Sequence, residues 1–382
     1  MVLSDLTLLL IVVGGAGASA SVVFVAVARR SVREVQRRHR SRVERLIRPL
    51  LLEAITEGRV DPRLIRARRA RGRSVERVAL HYLAKTRGEA RDVLEGLLTQ
   101  RGVTARAIRQ TGRLGPHRRA RAAEVLGVIA SDEARKCLEH LGRVDPKMEV
   151  RTVAARALGK FETADAAASL LGLLYYATPV PGGVVAAGLI ELGPEAIPAL
   201  RDVLRFERRG SITQRAMAAE VLGLLGAAHV WRELAAEAGG ADLESRISAV
   251  RALGRLGVPG AADTIAQCLQ PAEPIALRSA AARALGGVGA TGYASVLEAS
   301  VNDRDYWVAH RSAEALTELG VTGQGALQRL AAQPTLGGLH AREALGYAAL
   351  EAVAYLTWTA PIAPPTPAVS WRAVSTLRAA SA

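Results

Sequence analysis

The chain has 382 residues, 49% of them hydrophobic but only 4% aromatic, and a formal net charge of +15 from 51 Lys+Arg against 36 Asp+Glu. Ala, Leu, Arg and Glu dominate, and the alternating Val/Ile/Tyr/Thr runs of a sheet are missing, which points to helices. Two cysteines without CxxC spacing, Cys137 and Cys268, exclude a disulfide framework; they suit a reducing compartment and read as buried apolar thiols.

The positive charge is not spread along the chain. Residues 29–121 hold 27 Lys+Arg against 9 Asp+Glu, whereas residues 122–382 hold 24 against 26. A balanced body with one basic block beside an apolar end points to a membrane surface before it points to DNA. Arginine supplies almost all of this charge, a bias that fits a GC-rich bacterial genome.

The first element, Leu6 to Ala28, is 23 residues without a charge. As a helix rising about 1.5 Å per residue it spans about 35 Å, enough to cross a hydrocarbon core of about 30 Å. Only Asp5 precedes it with a charge, while Arg29, Arg30, Arg33, Arg37, Arg38 and Arg40 follow. That asymmetry is the reverse of a secretory signal and predicts a single-pass anchor with its N-terminus outside and the rest cytoplasmic. Small residues at Gly14/Ala18 and Gly17/Ser21 fit close helix approach within the bilayer. The six arginines are expected against anionic headgroups, or simply to stop the anchor from sliding.

A basic juxtamembrane helix over residues 29–58 is expected next. Val32, Val35, His39, Val43, Leu46 and Leu50 form a seam at heptad spacing, and Pro49 is expected to break the helix. Residues 59–119 read as helical, either an N-terminal cap or degenerate repeats. Residues 120–359 then spell one phrase repeatedly: "RAAEVLGVIA" from Arg121, "RTVAARALGKF" from Arg151, "GVVAAGLIELG" from Gly183, "RAMAAEVLGLLG" from Arg215, "RISAVRALGRLG" from Arg246, "RSAAARALGGVG" from Arg278 and "HRSAEALTELG" from His310. Aligned on the second glycine, Gly193, Gly226, Gly257, Gly289 and Gly320 recur about every 32 residues, the period of an α-solenoid with two helices per unit. Ala and Leu three and four apart give the inner helix its apolar face, and the glycines are expected to end it in a left-handed cap. "HAREALGYAALEAVAYLTWT", from His340, reads as an apolar last helix that is either a buried closing helix or a docking element, and residues 360–382 as a Pro-rich disordered tail.

The phrase resembles the HEAT repeat in its short bacterial form, the kind seen in phycobilin-lyase-like proteins, with "DPKMEVRTVAARALGKF" (Asp145 to Phe161) and "NDRDYWVAHRSAEALTELG" (Asn302 to Gly320) matching best. The resemblance covers roughly Ala120 to Leu330 and implies an all-α solenoid of HEAT-like helix pairs, here preceded by one transmembrane helix. It also implies a ladder between acidic residues and arginines of successive repeats, with Asp145/Arg151 and Asp305/Arg311 as the candidate pairs.

No motif for chemistry accompanies the repeats. HExxH, P-loop, GxSxG and CxxC…CxxC patterns are absent, and so is the His-Glu dipeptide with which the deoxyhypusine hydroxylase type of HEAT-like protein holds iron. The seven histidines are scattered with no pair at metal-ligand spacing, so neither an enzyme nor a cofactor is expected. The expectation is a membrane-tethered scaffold for a membrane-associated protein, with Tyr306 and Trp307 as aromatic anchors beside Asp303, Arg311, Arg278, Arg246 and Arg215 on the repeat surface. The alternative is a nucleic-acid binder akin to the HEAT-like DNA alkylbase glycosylases, suggested by Trp307, Asp303 and Asp305 in one phrase. The near-neutral charge of residues 122–382 speaks against it.

Overall fold

The computed structural model describes residue 30 and residues 43–174, 179–205 and 211–359, the stretch 349–359 by backbone alone. The expected anchor, Arg29, Arg33, Arg37, Arg38, Arg40 and the Pro-rich tail lie outside the described residues; Arg30 is helical and exposed. Everything described is helix, turn or irregular, with no strand among the described residues. The chain divides into two compact units, Met1–Ala199 and Leu200–Ala382.

The first unit begins with α1, over residues 43–57, and continues through α2 (Pro62–Arg66), α3 (Arg69–Leu83), α4 (Glu89–Gln100) and α5 (Val103–Thr111). Helix α1 does not stop at Pro49. Ile47 before the proline, and Leu51 and Ala54 after it, are all buried, Ile47 and Leu51 in the cluster that holds Val75, Ala79, Leu83, Leu94 and Leu98. Packing on both sides of the proline offsets its cost of about 3 kcal/mol. The buried face is therefore one position away from the expected seam, and Leu46 is 68% exposed.

Part of the basic excess is spent inside this unit. Arg101, with its side chain only 7% exposed, donates to the carbonyls of Leu64, Ile65 and Ala67 at 2.8–3.1 Å and to Glu76, so it closes the C-terminus of α2. Arg91 does the same for Leu83 of α3 and for Val128 and Ile129 of the next helix, α6 (Pro116–Ile129).

From α6 onward the unit alternates inner and outer helices: α7 (Asp132–Val144), α8 (Met148–Leu158), α9 (Ala164–Gly172) and α10 (Gly182–Leu192). α6, α8 and α10 pack successively against one another, and α7 and α9 back them. The boundary between the units falls inside α11 (Ile197–Arg205), and the second unit repeats the scheme with α12 (Ile212–Leu224), α13 (Trp231–Ala238), α14 (Leu243–Leu256), α15 (Ala262–Gln267), α16 (Ile275–Val288), α17 (Ala294–Ser300), α18 (Tyr306–Glu318), α19 (Gly320–Ala331) and α20 (Leu336–Thr359). Here α12, α14, α16 and α18 form the inner row. Their starts are set by side-chain caps: Ser211 and Gln214 make a reciprocal box on α12, Asp242 accepts from Ser245 on α14, and Asp305 accepts from Trp307 and Val308 on α18.

The two glycines of the phrase do different work. The second is the expected cap: Gly257 has φ +61° and ψ 30° and donates its N–H to the Leu253 carbonyl. The first is not a cap but a close approach. A Cβ at Gly254 would lie 2.7 Å from Ala284 Cα on the next inner helix, and the same meeting recurs at Gly223/Ala252 and Gly127/Ala157. The inner row is thus as tight as backbones allow.

By length and composition one described stretch could cross a membrane, Gly182–Arg205, with mean hydropathy 1.4. It is two helices rather than one, interrupted by the 3-10 turn Gly193–Ala196, where Gly193 has φ +66°. Val185, Leu189, Leu192, Ala196 and Leu200 are all buried, which is the pattern of an inner and an outer repeat helix. Helix α20 starts at Leu336, earlier than the sequence suggests, and its first half docks on α18 and α19 through the buried Ala341 and Ala344.

Candidate functional site

Most repeats carry an arginine near the start of the inner helix, α10 being the exception, and the structure shows where these go. Arg246 on α14 donates to Glu273 at 2.8 Å, in the turn that leads to α16. Arg278 on α16 reaches Asp303 in the turn before α18, and Arg215 on α12 reaches Glu237 at the end of α13. In the first unit Arg119 grips Asp145 with two of its nitrogens, Nε and Nη2, at 2.6 and 2.9 Å. The ladder is therefore real, with other partners than expected. Arg151 bonds the Asp145 carbonyl rather than its carboxylate, the Asp305 carboxylate is spent as a helix cap, and Arg311 pairs with Glu314. Hydrogen bonding to Arg246 holds the Glu273 carboxyl below the usual carboxylate range. Its contribution is present above the unfolded carboxylate value of about 4.3 and is lost as the pH falls through the lowered one.

Of the surface residues singled out in the sequence, Arg215, Arg246, Arg278 and Asp303 are thus committed internally, each side chain 17% exposed or less. Tyr306 and Trp307 remain accessible at 52% and 56%. Trp307 and Arg311 line a groove of about 940 Å³ along α14, α16 and α18, the Arg311 guanidinium lying 5.9 Å from the Trp307 ring centre. The other cations of this groove are Arg251, Arg255 and Arg283, with Ile275, 50% exposed, as a further apolar wall.

These three arginines escape the sequence reading although the phrase contains the signal. Arg251 and Arg283 follow the ladder arginines Arg246 and Arg278 by five residues, which at about 100° per residue turns them some 140° around the helix. One arginine faces the ladder and the other faces water. Arg255 holds Glu220 at 2.7 Å, whereas Arg251 and Arg283 are exposed and make no ion pair among the described residues. The one carboxylate in the groove, Glu318, is raised above its ordinary range by desolvation, against the pull of Arg283 and with the push of Glu314. A near-neutral body therefore still carries a basic groove, because four arginines and one carboxylate line it.

A second cluster lies at the start of α18, beneath α20. Tyr306 stacks on His310 with ring centres 5.5 Å apart and meets His340 edge-on at 5.1 Å. Glu343 Oε2 lies 3.8 Å from His310 Nδ1 and 3.9 Å from His340 Nδ1. Sequence spacing gives no sign of this meeting. His310 and His340 are thirty residues apart, and only the docking of α20 on α18 brings them into one place. Cys268 is buried as expected, while Cys137 is half-buried, with its Sγ 3.4 Å from Thr111 Oγ1.

Paired helices, a Gly/Ala-tight inner row and an arginine ladder define an all-helical, solenoid-like repeat protein. Residues 116–180 and 231–317 match the family model for HEAT repeats. Among solved structures the chain is similar to human deoxyhypusine hydroxylase in complex with glycerol, at 19% identity over 65% of this chain and 98% of that one, with a TM-score of 0.30. It is also similar to the CpcE–CpcF complex of phycocyanin lyase from Nostoc sp. (20% identity, 59% and 92% coverage, TM-score 0.31). A third similarity is to Kap121p bound to Pho4p (15% identity, 79% and 39% coverage, TM-score 0.45). A search of curated proteins gave no match.

Proposed function

We propose that this protein is a membrane-tethered cytoplasmic scaffold that binds another protein along the groove of its HEAT-repeat surface. The observation that carries the reading is the groove itself, in which two exposed arginines without an ion pair among the described residues, Arg251 and Arg283, stand beside exposed Trp307 and Ile275. Unpaired guanidinium groups favour carboxylates, and an accessible tryptophan favours an apolar side chain, so the fitting partner is an acidic segment with an apolar residue. The reading assigns no reaction to the chain. It is tested by recovering the native protein in mild detergent and identifying its companions by mass spectrometry, with Arg251→Glu/Arg283→Glu as the comparison.

The tether rests on the uncharged stretch Leu6–Ala28 and on Arg29, Arg30, Arg33, Arg37, Arg38 and Arg40 after it, which would meet anionic headgroups. It concentrates the groove at the membrane plane, where a partner already at the membrane meets it at raised effective concentration. In intact cells an impermeant thiol reagent is expected to label a cysteine introduced at Val2 and to spare one introduced at Ala380. Labelling at Ala380 without permeabilisation would reverse the orientation.

Binding of nucleic acid is the second reading, favoured by the same four groove arginines. It differs in its salt response: each phosphate contact contributes about −0.9 to the slope of log affinity against log salt on duplex DNA, and the binding survives loss of the anchor.

A further inference from the structure

We infer that His310, His340 and Glu343 form a binding site for one divalent transition-metal ion, Zn²⁺ by the chemistry of its donors, between α18 and α20. Two imidazoles and a carboxylate are the donor set that borderline-soft cations take, and the three ligand atoms lie within 4.8 Å of one another. A tetrahedral ion with bonds of about 2.0–2.1 Å needs its ligands about 3.4 Å apart. The separations of 3.8 and 3.9 Å to Glu343 thus close with a shift of about half an ångström, and Glu343, 40% exposed, has room to move; the two imidazole nitrogens, within 4.8 Å of each other, need at most about 1.4 Å, which ring rotation supplies.

A second observation points the same way. His340 Nδ1 is buried and has no hydrogen-bond partner, although its ring is only 13% exposed. A buried polar nitrogen without a partner is costly to leave so, and a cation between it and Glu343 would satisfy it. The neighbouring nitrogen is arranged for the same purpose. His310 Nε2 lies 3.3 Å from Glu314 Oε1, and Glu314 in turn is held by Arg311 at 2.5 Å. A carboxylate at Nε2 keeps the proton there and leaves the lone pair of Nδ1 facing Glu343, the outer-shell arrangement that orients a metal-bound histidine. Tyr306, stacked on His310 and edge-on to His340, holds both rings in place.

Three protein donors leave a fourth position for water or for a side chain of a bound partner. Arg311 and Trp307 both line the groove and touch this cluster, Trp307 meeting Tyr306 and His310 edge-on at 5.3 and 6.3 Å and Arg311 reaching His310 through Glu314, so the ion would also fix the start of α18 beside the groove.

The test uses the full chain, purified in detergent, stripped with a chelator and titrated with Co²⁺ alone. The expected result is a saturable visible d–d absorption at one equivalent that Zn²⁺ displaces. His340→Gln should weaken Co²⁺ binding at least ~100-fold, and Glu314→Gln, which removes only the outer carboxylate, about 10-fold. Should His340→Gln fail to give the wild-type helical spectrum, Glu343→Gln at the exposed position decides in its place. No cobalt absorption, or absorption that persists in a folded His340→Gln or Glu343→Gln variant, overturns the site.

Discussion

Gly254→Ala is expected to destabilise the second unit by about 2–3 kcal/mol, even though alanine is the better helix former by about 1 kcal/mol. The sign is the point of the experiment. Intrinsic propensity alone predicts a gain, because Gly254 sits inside α14. Packing predicts a loss, because the new Cβ would lie 2.7 Å from Ala284 Cα and 2.8 Å from its Cβ, against a neighbouring backbone that cannot rotate away. The helices must separate, and contacts along α14 and α16 are stripped with them. Gly257→Ala, three residues on, meets nothing closer than the Gly287 carbonyl at 3.6 Å, so only its φ of +61° is at issue. That change should cost about 1 kcal/mol. Thermal melts followed by circular dichroism resolve the two, at about 2–4 °C per kcal/mol for a body of this size.

The second large effect is at the ladder. Asp303→Ala should cost about 2–3 kcal/mol, because it leaves the Arg278 guanidinium, 11% exposed, without its carboxylate. The full 3–5 kcal/mol of a wholly buried pair is not expected, since both partners keep some water. Asp303 also accepts the N–H of Asp305 at 2.9 Å, so its loss loosens the turn that starts α18. Arg278→Met leaves that turn intact and should cost less. The double variant should be less unstable than the sum of the two by at least about 1 kcal/mol, as expected for groups in direct contact. Strict additivity would mean that the pair contributes nothing.

Much of this architecture is legible in the phrase itself. Gly257 and Gly289 end their helices in the left-handed region, and each repeat folds as an inner and an outer helix, because period, capping and apolar spacing are local properties of the chain. What escapes the sequence is relational. Gly254 looks like Gly257 until the neighbouring helix is known. Asp145 looks like a partner for Arg151, six residues away, but its carboxylate goes to Arg119, one repeat earlier. Pro49 reads as a helix breaker because the burial of Ile47 and Leu51 around it depends on α3 and α4. The groove was hidden for the same reason: a near-neutral charge over residues 122–382 does not say which arginines are paired. His310 and His340 share a site only because α20 folds back on α18.

The most direct test of the scaffold reading measures partner recovery with the full chain from native membranes in mild detergent, comparing wild type with Arg251→Glu/Arg283→Glu and with Trp307→Ala. These side chains are exposed, so the variants should melt within about 0.5 kcal/mol of wild type and stay in the membrane fraction. The account predicts that one specific protein partner is recovered with wild type, that charge reversal lowers its recovery at least ~10-fold, and that Trp307→Ala lowers it as well. Undiminished recovery with the reversed groove would contradict it, as would groove-dependent binding of DNA whose affinity falls steeply with salt.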